Sequence, residues 1–450
     1  MLVKKDYSKL GWLFLIIVLC LFVVVIIVVG ALYKESNDKS IPRMDIVLKN
    51  VSLGEVNGNN KEIIYKDNTV TLSSYGKEDV FNSVELKGRG NYSWVVEKKS
   101  YNLRFPGKIS LLRMGRHRKW GLIANYLDDT ALRNDVGHYI SNLMTNHPIL
   151  GDYLELTIDG QDLGLYYLSE LASIRKDFID MKDPLGVLVE FDKVYCKDEE
   201  YYYESETLKD CMSLKDVVDD NNSKIAMDNF MDGYNEFEKM LIEGYYDDIF
   251  NLIDKESWAE YFLLSEFTGN IDAYTTSWLF YKNGTEDKIH SGPGWDFDAG
   301  FGNRNWGDWP DGFYDPNTIM ARVKFSFSER GDYIEGKKMG CRYETEGNEM
   351  SLNYVSPIMC YMIDIPEFND EVSRLYKERL MDKRDETLNY IRNRASYIRE
   401  AAIRNNEMWG KGDFDEAVDY LVWWVDKRFD LFDRLYGGVK TEFLEEPSEL

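Results

Sequence analysis

Three short stretches gather residues able to do chemistry. The first is Lys87-Gly88-Arg89-Gly90-Asn91-Tyr92-Ser93-Trp94, followed closely by Lys98-Lys99-Ser100-Tyr101. Two glycines one residue apart let backbone N–H groups approach an anion, and neighbouring Lys side chains add positive charge. A Gly-Arg-Gly turn in a hairpin has the same look. The second stretch is Gly292-Pro293-Gly294-Trp295-Asp296-Phe297-Asp298-Ala299-Gly300. Carboxylates at i and i+2 beside glycines suit a hard cation such as Mg²⁺, which takes a few carboxylate oxygens and keeps waters for phosphate. An acidic turn is the plain alternative. The third is Glu266-Phe267-Thr268-Gly269-Asn270-Ile271-Asp272, where a lone Asp follows an apolar helix. Such an Asp is ordinarily a cap or a solvated loop residue. A cationic glycine loop, then an isolated Asp, then a carboxylate pair, in that order, is the layout of an ATP-dependent phosphotransferase.

The elements that must position these residues divide the chain. Residues 44–105 read as strands, with MDIVLKNVSL, EIIYKDNTVTL, SVELKG and SYNLRF separated by turns. A basic loop, RMGRHRK, leads into the apolar WGLIA. A helical stripe over Asp129–Met144 follows, with Asp128 or Asp129 as its cap. Asp159-Gly160 marks a hairpin, and GVLVEFDK one more strand. Residues 196–226 read as a polar surface loop. Helices dominate from Asn229, and two long ones, Asn369–Asn405 and Phe414–Tyr436, close the chain. A β-rich first half and a helical second half predict an α+β protein with two lobes sharing a cleft.

Composition narrows the function. The chain has 450 residues and a net charge of −25, which argues against a nucleic-acid surface. It also argues against docking on anionic lipid. A phosphate-handling enzyme of this charge needs concentrated cations or a bound metal. No charged residue occurs from Leu10 to Leu32, a run that matches the roughly 20 apolar residues of a membrane-spanning helix. Lys4, Lys5 and Lys9 precede it, so the N-terminus is expected in the cytoplasm and the rest outside. A cleaved signal peptide is the alternative, although its apolar core is usually only about 7–15 residues. The expected division is a cytoplasmic 1–9, a transmembrane helix 10–33, a stalk 34–43, one bilobal domain 44–440 and a tail 441–450. Beyond the span lie four cysteines, for which the short loops Cys196–Cys211 and Cys341–Cys360 are the favoured pairings, with free thiols the alternative. Four His and no CxxC pair speak against zinc.

Five runs taken in order carry a closer likeness: LKGRGNYSWVVEKKSYNLRF, KWGLIANYLDDTALRND, LGLYYLSEL, EFTGNIDAY and GWDFDAGFG. Together they resemble the spore coat protein H-type (CotH) kinases over roughly residues 45–440. The resemblance implies an atypical bilobal protein-kinase-like fold that phosphorylates Ser or Thr of proteins with ATP and Mg²⁺ or Mn²⁺. Envelope, coat or secreted proteins are the expected substrates. It implies ATP-binding roles for Arg89 and Gly90, for one of Lys98 and Lys99, and for Glu170 as the partner orienting that Lys. Asp272 matches the catalytic Asp, and Asp296 and Asp298 the metal-binding pair. Arg133 and Asn134 match a helix motif with a structural role. Where the family commonly has an Asn five residues after the catalytic Asp, this chain has Ser277, a poorer metal ligand. That departure leaves open a catalytically inactive scaffold that binds envelope or coat proteins.

Overall fold

The computed structural model describes residues 40–145, 147–305, 313–322, 326–327, 333–334 and 356–438. The expected membrane span and tail lie outside them, as do Cys341 and residues 34–39 of the expected stalk, whose last residue, Arg43, instead opens the first strand. Among the described residues, no helix is long and apolar enough to cross a membrane.

The β-formers of the first half close into a barrel. Its strands are β1 (Arg43–Val47), β2 (Tyr65–Ser74), β3 (Lys77–Arg89), β4 (Ser100–Ser110), β5 (Arg116–Ile123), β6 (Gly151–Ile158) and β7 (Gln161–Glu170), in the order β1-β2-β3-β4-β5-β7-β6. Neighbours run antiparallel except β1 and β6, whose parallel pairing (Arg43↔Glu155) closes the ring. Alternation along each strand sends one set of side chains inward. On β3, Val84 and Leu86 are buried while Glu85 and Lys87 face outward. They meet Leu103, Trp120, Leu122, Leu156 and Leu168 in the barrel core.

A second, antiparallel sheet has the order β12-β11-β8-β10-β9. It comprises β8 (Gly186–Phe191), β9 (Tyr202–Glu204), β10 (Cys211–Val217), β11 (Trp278–Asn283) and β12 (His290–Ser291). The segment 196–226, expected to be a surface loop, thus supplies two strands and the start of a helix. Its acidic surface residues masked the buried run Cys211, Met212 and Ser213. A disulfide joins Cys196 to Cys211, as favoured above. Cys360 is also disulfide-bonded. Closing a loop of 15 residues contributes about 3 kcal/mol through the unfolded state. Replacing both Cys196 and Cys211 by Ser is therefore expected to lower the unfolding free energy by about that amount in a urea titration.

The helices are α1 (Leu53–Gly58), the single turn α2 (Tyr92–Val95), α3 (Arg133–Met144), α4 (Ser223–Glu243), α5 (Lys255–Thr268), α6 (Ile358–Met362), α7 (Pro366–Leu375), α8 (Arg384–Trp409) and α9 (Phe414–Leu435). Helix α3 starts later than expected because Asp128 organises a turn first. Its carboxylate accepts from the Thr130 and Arg133 amides, at 3.0 and 2.9 Å. The long helix expected over 369–405 is interrupted by a π-helical turn at Tyr376–Leu380 and a 3-10 turn at Met381–Lys383. That irregular turn carries Arg379, which binds Glu256 and Glu260 of α5 and the Met144 carbonyl. Helices α3 to α9 bury Trp258, Phe262, Phe267, Trp424 and Phe429 in the larger core, together with Trp278 and Phe280 of the second sheet.

Candidate active site

Between the barrel and the second sheet lies a cleft of about 950 Å³. Arg89, Gly90, Lys98, Asp272, Ser277, Asp296 and Asp298 all line it, so most of the expected site residues converge. A smaller, more apolar cavity of about 590 Å³ adjoins it, lined in part by Ala172, Ile174, Leu188 and Leu279. Lys87, Arg89, Asn102, Lys215 and Trp295 line both.

The glycine loop follows from sterics. A Cβ on Gly88 would press on the Trp94 ring at 2.7 Å. Gly90 has φ +87°, a conformation that favours glycine, and a Cβ there would strike the Ser93 hydroxyl. The turn leaves Arg89 pointing across the cleft. Its guanidinium stacks over Trp295 at 5.2 Å and donates to Asn102 at 3.4 Å. Burial lowers its pKa, while the carboxylates of Asp296, Glu190 and Asp298 act to hold its charge.

The carboxylate loop is held from beneath by the Arg-Asn pair of α3. Asn134 Oδ1 accepts from the Phe297 amide at 2.8 Å, and Arg133 donates to the Gly300 carbonyl at 3.2 Å. Asn270 donates to the Asp296 carbonyl at 3.0 Å and accepts from the Asp272 amide at 3.2 Å, tying two of the motifs together. Glu266 anchors the start of the third motif by accepting from the Met320 and Ala321 amides, both at 2.7 Å. Asp296 sits at φ +63° and Ser277 at φ +58°. Non-glycine residues held there carry strain that the surrounding contacts must offset.

Phe297 packs directly on Gly137 of α3, where a Cβ would collide with its ring. Gly137→Ala is accordingly expected to cost about 1–3 kcal/mol and to displace the carboxylate loop. A thermal melt reads the first effect, and faster hydrogen exchange at the Phe297 amide, which Asn134 holds, the second.

Electrostatically the cleft is under strain of its own. Burial raises the Asp272 pKa to about 7, with help from the charges of Asp296 and Asp192. Burial raises the Asp298 pKa well above its ordinary value, and the charges of Asp296, Asp272 and Asp128 push it the same way. Carboxylate oxygens crowded in this way suit a hard divalent cation. Among the described residues no group of three or more His, Cys, Asp or Glu is arranged to hold a metal. The donors come as a pair, as for an ion that also takes water and phosphate oxygens.

Two of the expected residues are placed outside the cleft. Lys99 turns away from the cleft and donates to the Val96 carbonyl at 2.6 Å. Glu170 pairs with His117 (2.8 Å) and Arg175 (3.0 Å) rather than with either lysine. The reason is the pleat, which directs Glu170 at the end of β7 toward these two side chains. Lys98 borders the cleft, but its ammonium is buried and spent on the Ala124 carbonyl (2.9 Å), the Leu165 carbonyl and Asn405 of α8 (2.9 Å). Burial lowers its pKa well below the ordinary lysine value.

The cleft also holds residues that sequence reasoning passed over. Glu190 on β8 is buried and pairs with Lys215 of β10, which lies 3.6 Å from Glu199 as well. Burial opposes the charge of Lys215, yet these carboxylates hold its pKa above the ordinary value. Asp192 accepts from the Val194 and Tyr195 amides at 2.8 and 2.9 Å. The signal was available: Glu190 and Asp192, at i and i+2 around Phe191, are carboxylates at the end of an otherwise apolar buried strand.

A barrel and an antiparallel sheet enclosing a cleft lined by carboxylates and cations make this an α+β protein. The family described as CotH kinase protein matches residues 86–431, and the chain belongs to it. No curated protein matches the chain.

Proposed function

We propose that this chain is an ATP- and divalent-metal-dependent atypical protein kinase that phosphorylates Ser or Thr of envelope, coat or secreted proteins. The observation that carries the reading is the meeting of Asp272, Asp296, Asp298 and Arg89 in one cleft beneath the Gly-Arg-Gly turn. Family membership supports it. The apolar cavity beside Leu188, Leu279 and Trp295 suits the base of the nucleotide, and the polar cleft suits its phosphates. Asp296 and Asp298 would hold the cation, which supplies charge neutralisation at the phosphates. Arg89 and Lys215 hold phosphate oxygens. Asp272 takes the proton of the acceptor hydroxyl as its oxygen bonds to the γ-phosphorus and the β–γ bridge breaks, releasing ADP. The apolar run 10–32 supports a single-pass anchor with the domain outside the cytoplasm.

The alternative is an inactive scaffold that binds envelope or coat proteins, favoured by Ser277 in the cleft and by the commitment of Lys98 to carbonyl groups. Thermal melts with ATP and Mg²⁺ or Mn²⁺, paired with radiolabel transfer to a Ser-containing protein, separate the two. A rise in melting temperature together with labelled phosphoserine is the expected result. Lys215→Met is expected to raise the KM for ATP about tenfold or more, as loss of a charge-assisted phosphate contact. No melting shift with either metal would remove the kinase reading.

A further inference from the structure

This acidic chain carries one region of opposite sign. Between Lys98 and Leu127 there are eight Lys or Arg residues and no Asp or Glu. Lys98 and Lys99 are turned onto carbonyl groups. The other six, Arg104, Lys108, Arg113, Arg116, Arg118 and Lys119, are exposed on β4, β5 and the turn between them. Arg104 and Lys119 stand directly opposite each other in the strand register. Like charges so placed destabilise a sheet. Arg104 has Glu85 at 3.5 Å. Among the described residues, no carboxylate forms an ion pair with Lys108, Arg116, Arg118 or Lys119. Arg116 and Arg118 instead donate to the carbonyls of Lys108 (3.0 Å) and Phe105 (3.5 Å). Folding alone gives no reason to gather these cations. In a molecule of net charge −25 they form a focus that attracts a polyanion to one face.

We infer that the β4–β5 face docks an acidic stretch of the protein substrate. Cations two residues apart on a strand repeat at about 6.6–6.8 Å, the interval at which an extended polypeptide presents side chains on one side. Arg116 and Arg118 have that spacing. Arg118 and Lys119 border the 590 Å³ cavity beside the reaction cleft, so a segment held there lies next to the site. Calling the partner a substrate rests on the kinase reading; the docking itself does not.

The test uses the full chain in detergent and a fluorescent peptide of alternating Glu and Ser. Wild type is expected to bind it, more weakly as salt rises. A variant with Lys108, Arg116, Arg118 and Lys119 all changed to Glu should bind at least about tenfold more weakly, and the same four changed to Gln should lie between. For phosphotransfer at saturating ATP, the KM of the acidic peptide should rise in the Glu variant by a larger factor than that of a neutral Ser peptide. Equal binding by wild type and both variants would overturn the inference. So would binding to phosphatidylserine vesicles without binding to the peptide, or a wild-type dimer that dissociates in the variants with no peptide bound. Peptide binding by wild type alone, with no transfer by any form, would uphold the docking face and refute the kinase reading.

Discussion

Asp272→Asn is expected to reduce phosphotransfer by about 10²–10⁴-fold, the range for a positioned general base, and to raise the melting temperature of the ligand-free protein. Both effects come from the same crowding. Asn is nearly isosteric and keeps the 3-10 turn Ile271–Tyr274, whose cap is the Asn270 side chain bonded to the residue 272 amide. It cannot accept a proton from an acceptor hydroxyl. It also deletes a buried charge that stands near Asp296 and Asp192. The pH dependence has a definite sign. With a pKa raised to about 7 from an ordinary 3.8, folded Asp272 binds more protons than unfolded Asp272 across that interval. Its contribution to stability therefore falls as pH rises from about 4 through 7, and the Asn variant lacks that fall. Transfer assays, with melts across that pH range, check all three points. Transfer unchanged in Asp272→Asn would refute its role as base.

The second large effect is expected at the carboxylate pair. Changing Asp296 and Asp298 together to Asn should erase the metal-dependent rise in melting temperature given by ATP, and with it detectable transfer. A ligand at about 100 times its dissociation constant stabilises by roughly 2.7 kcal/mol, so its loss is easily read. The ligand-free double variant should be no less stable than wild type. The Asn134 and Asn270 bonds that hold this loop reach backbone atoms, which the substitutions leave in place. The substitutions also remove the buried like charges that crowd Asp298. A double variant that retains the nucleotide shift would place the cation elsewhere.

Much of this arrangement was legible in the sequence. Alternation gave the strands of the barrel, and the glycine, Asp272 and carboxylate motifs do share one cleft. Closure of the barrel was not legible, because the parallel β1–β6 pairing joins residues more than a hundred positions apart and leaves no local pattern. The fates of Lys98, Lys99 and Glu170 were hidden for a related reason. A motif names a residue, but only the pleat and the packing of α8 decide where its charged end goes. Lys215 was missed because it lies in an acidic stretch that reads as solvated surface, and its partner Glu190 sits in a strand that reads as core.

Lys98 has one more consequence. Its ammonium joins β5 and β7 of the barrel to α8 near the chain's end, and Asn405, which it binds, also accepts from the Leu165 amide at 3.2 Å. Prising that helix from the barrel would strand a cation away from its oxygens without water to replace them. The barrel and α8 thus behave as one riveted piece. On the proposed kinase reading, nucleotide enters and leaves by the other wall of the opening, where the sheet that carries Glu190, Lys215 and the Cys196–Cys211 bridge faces it.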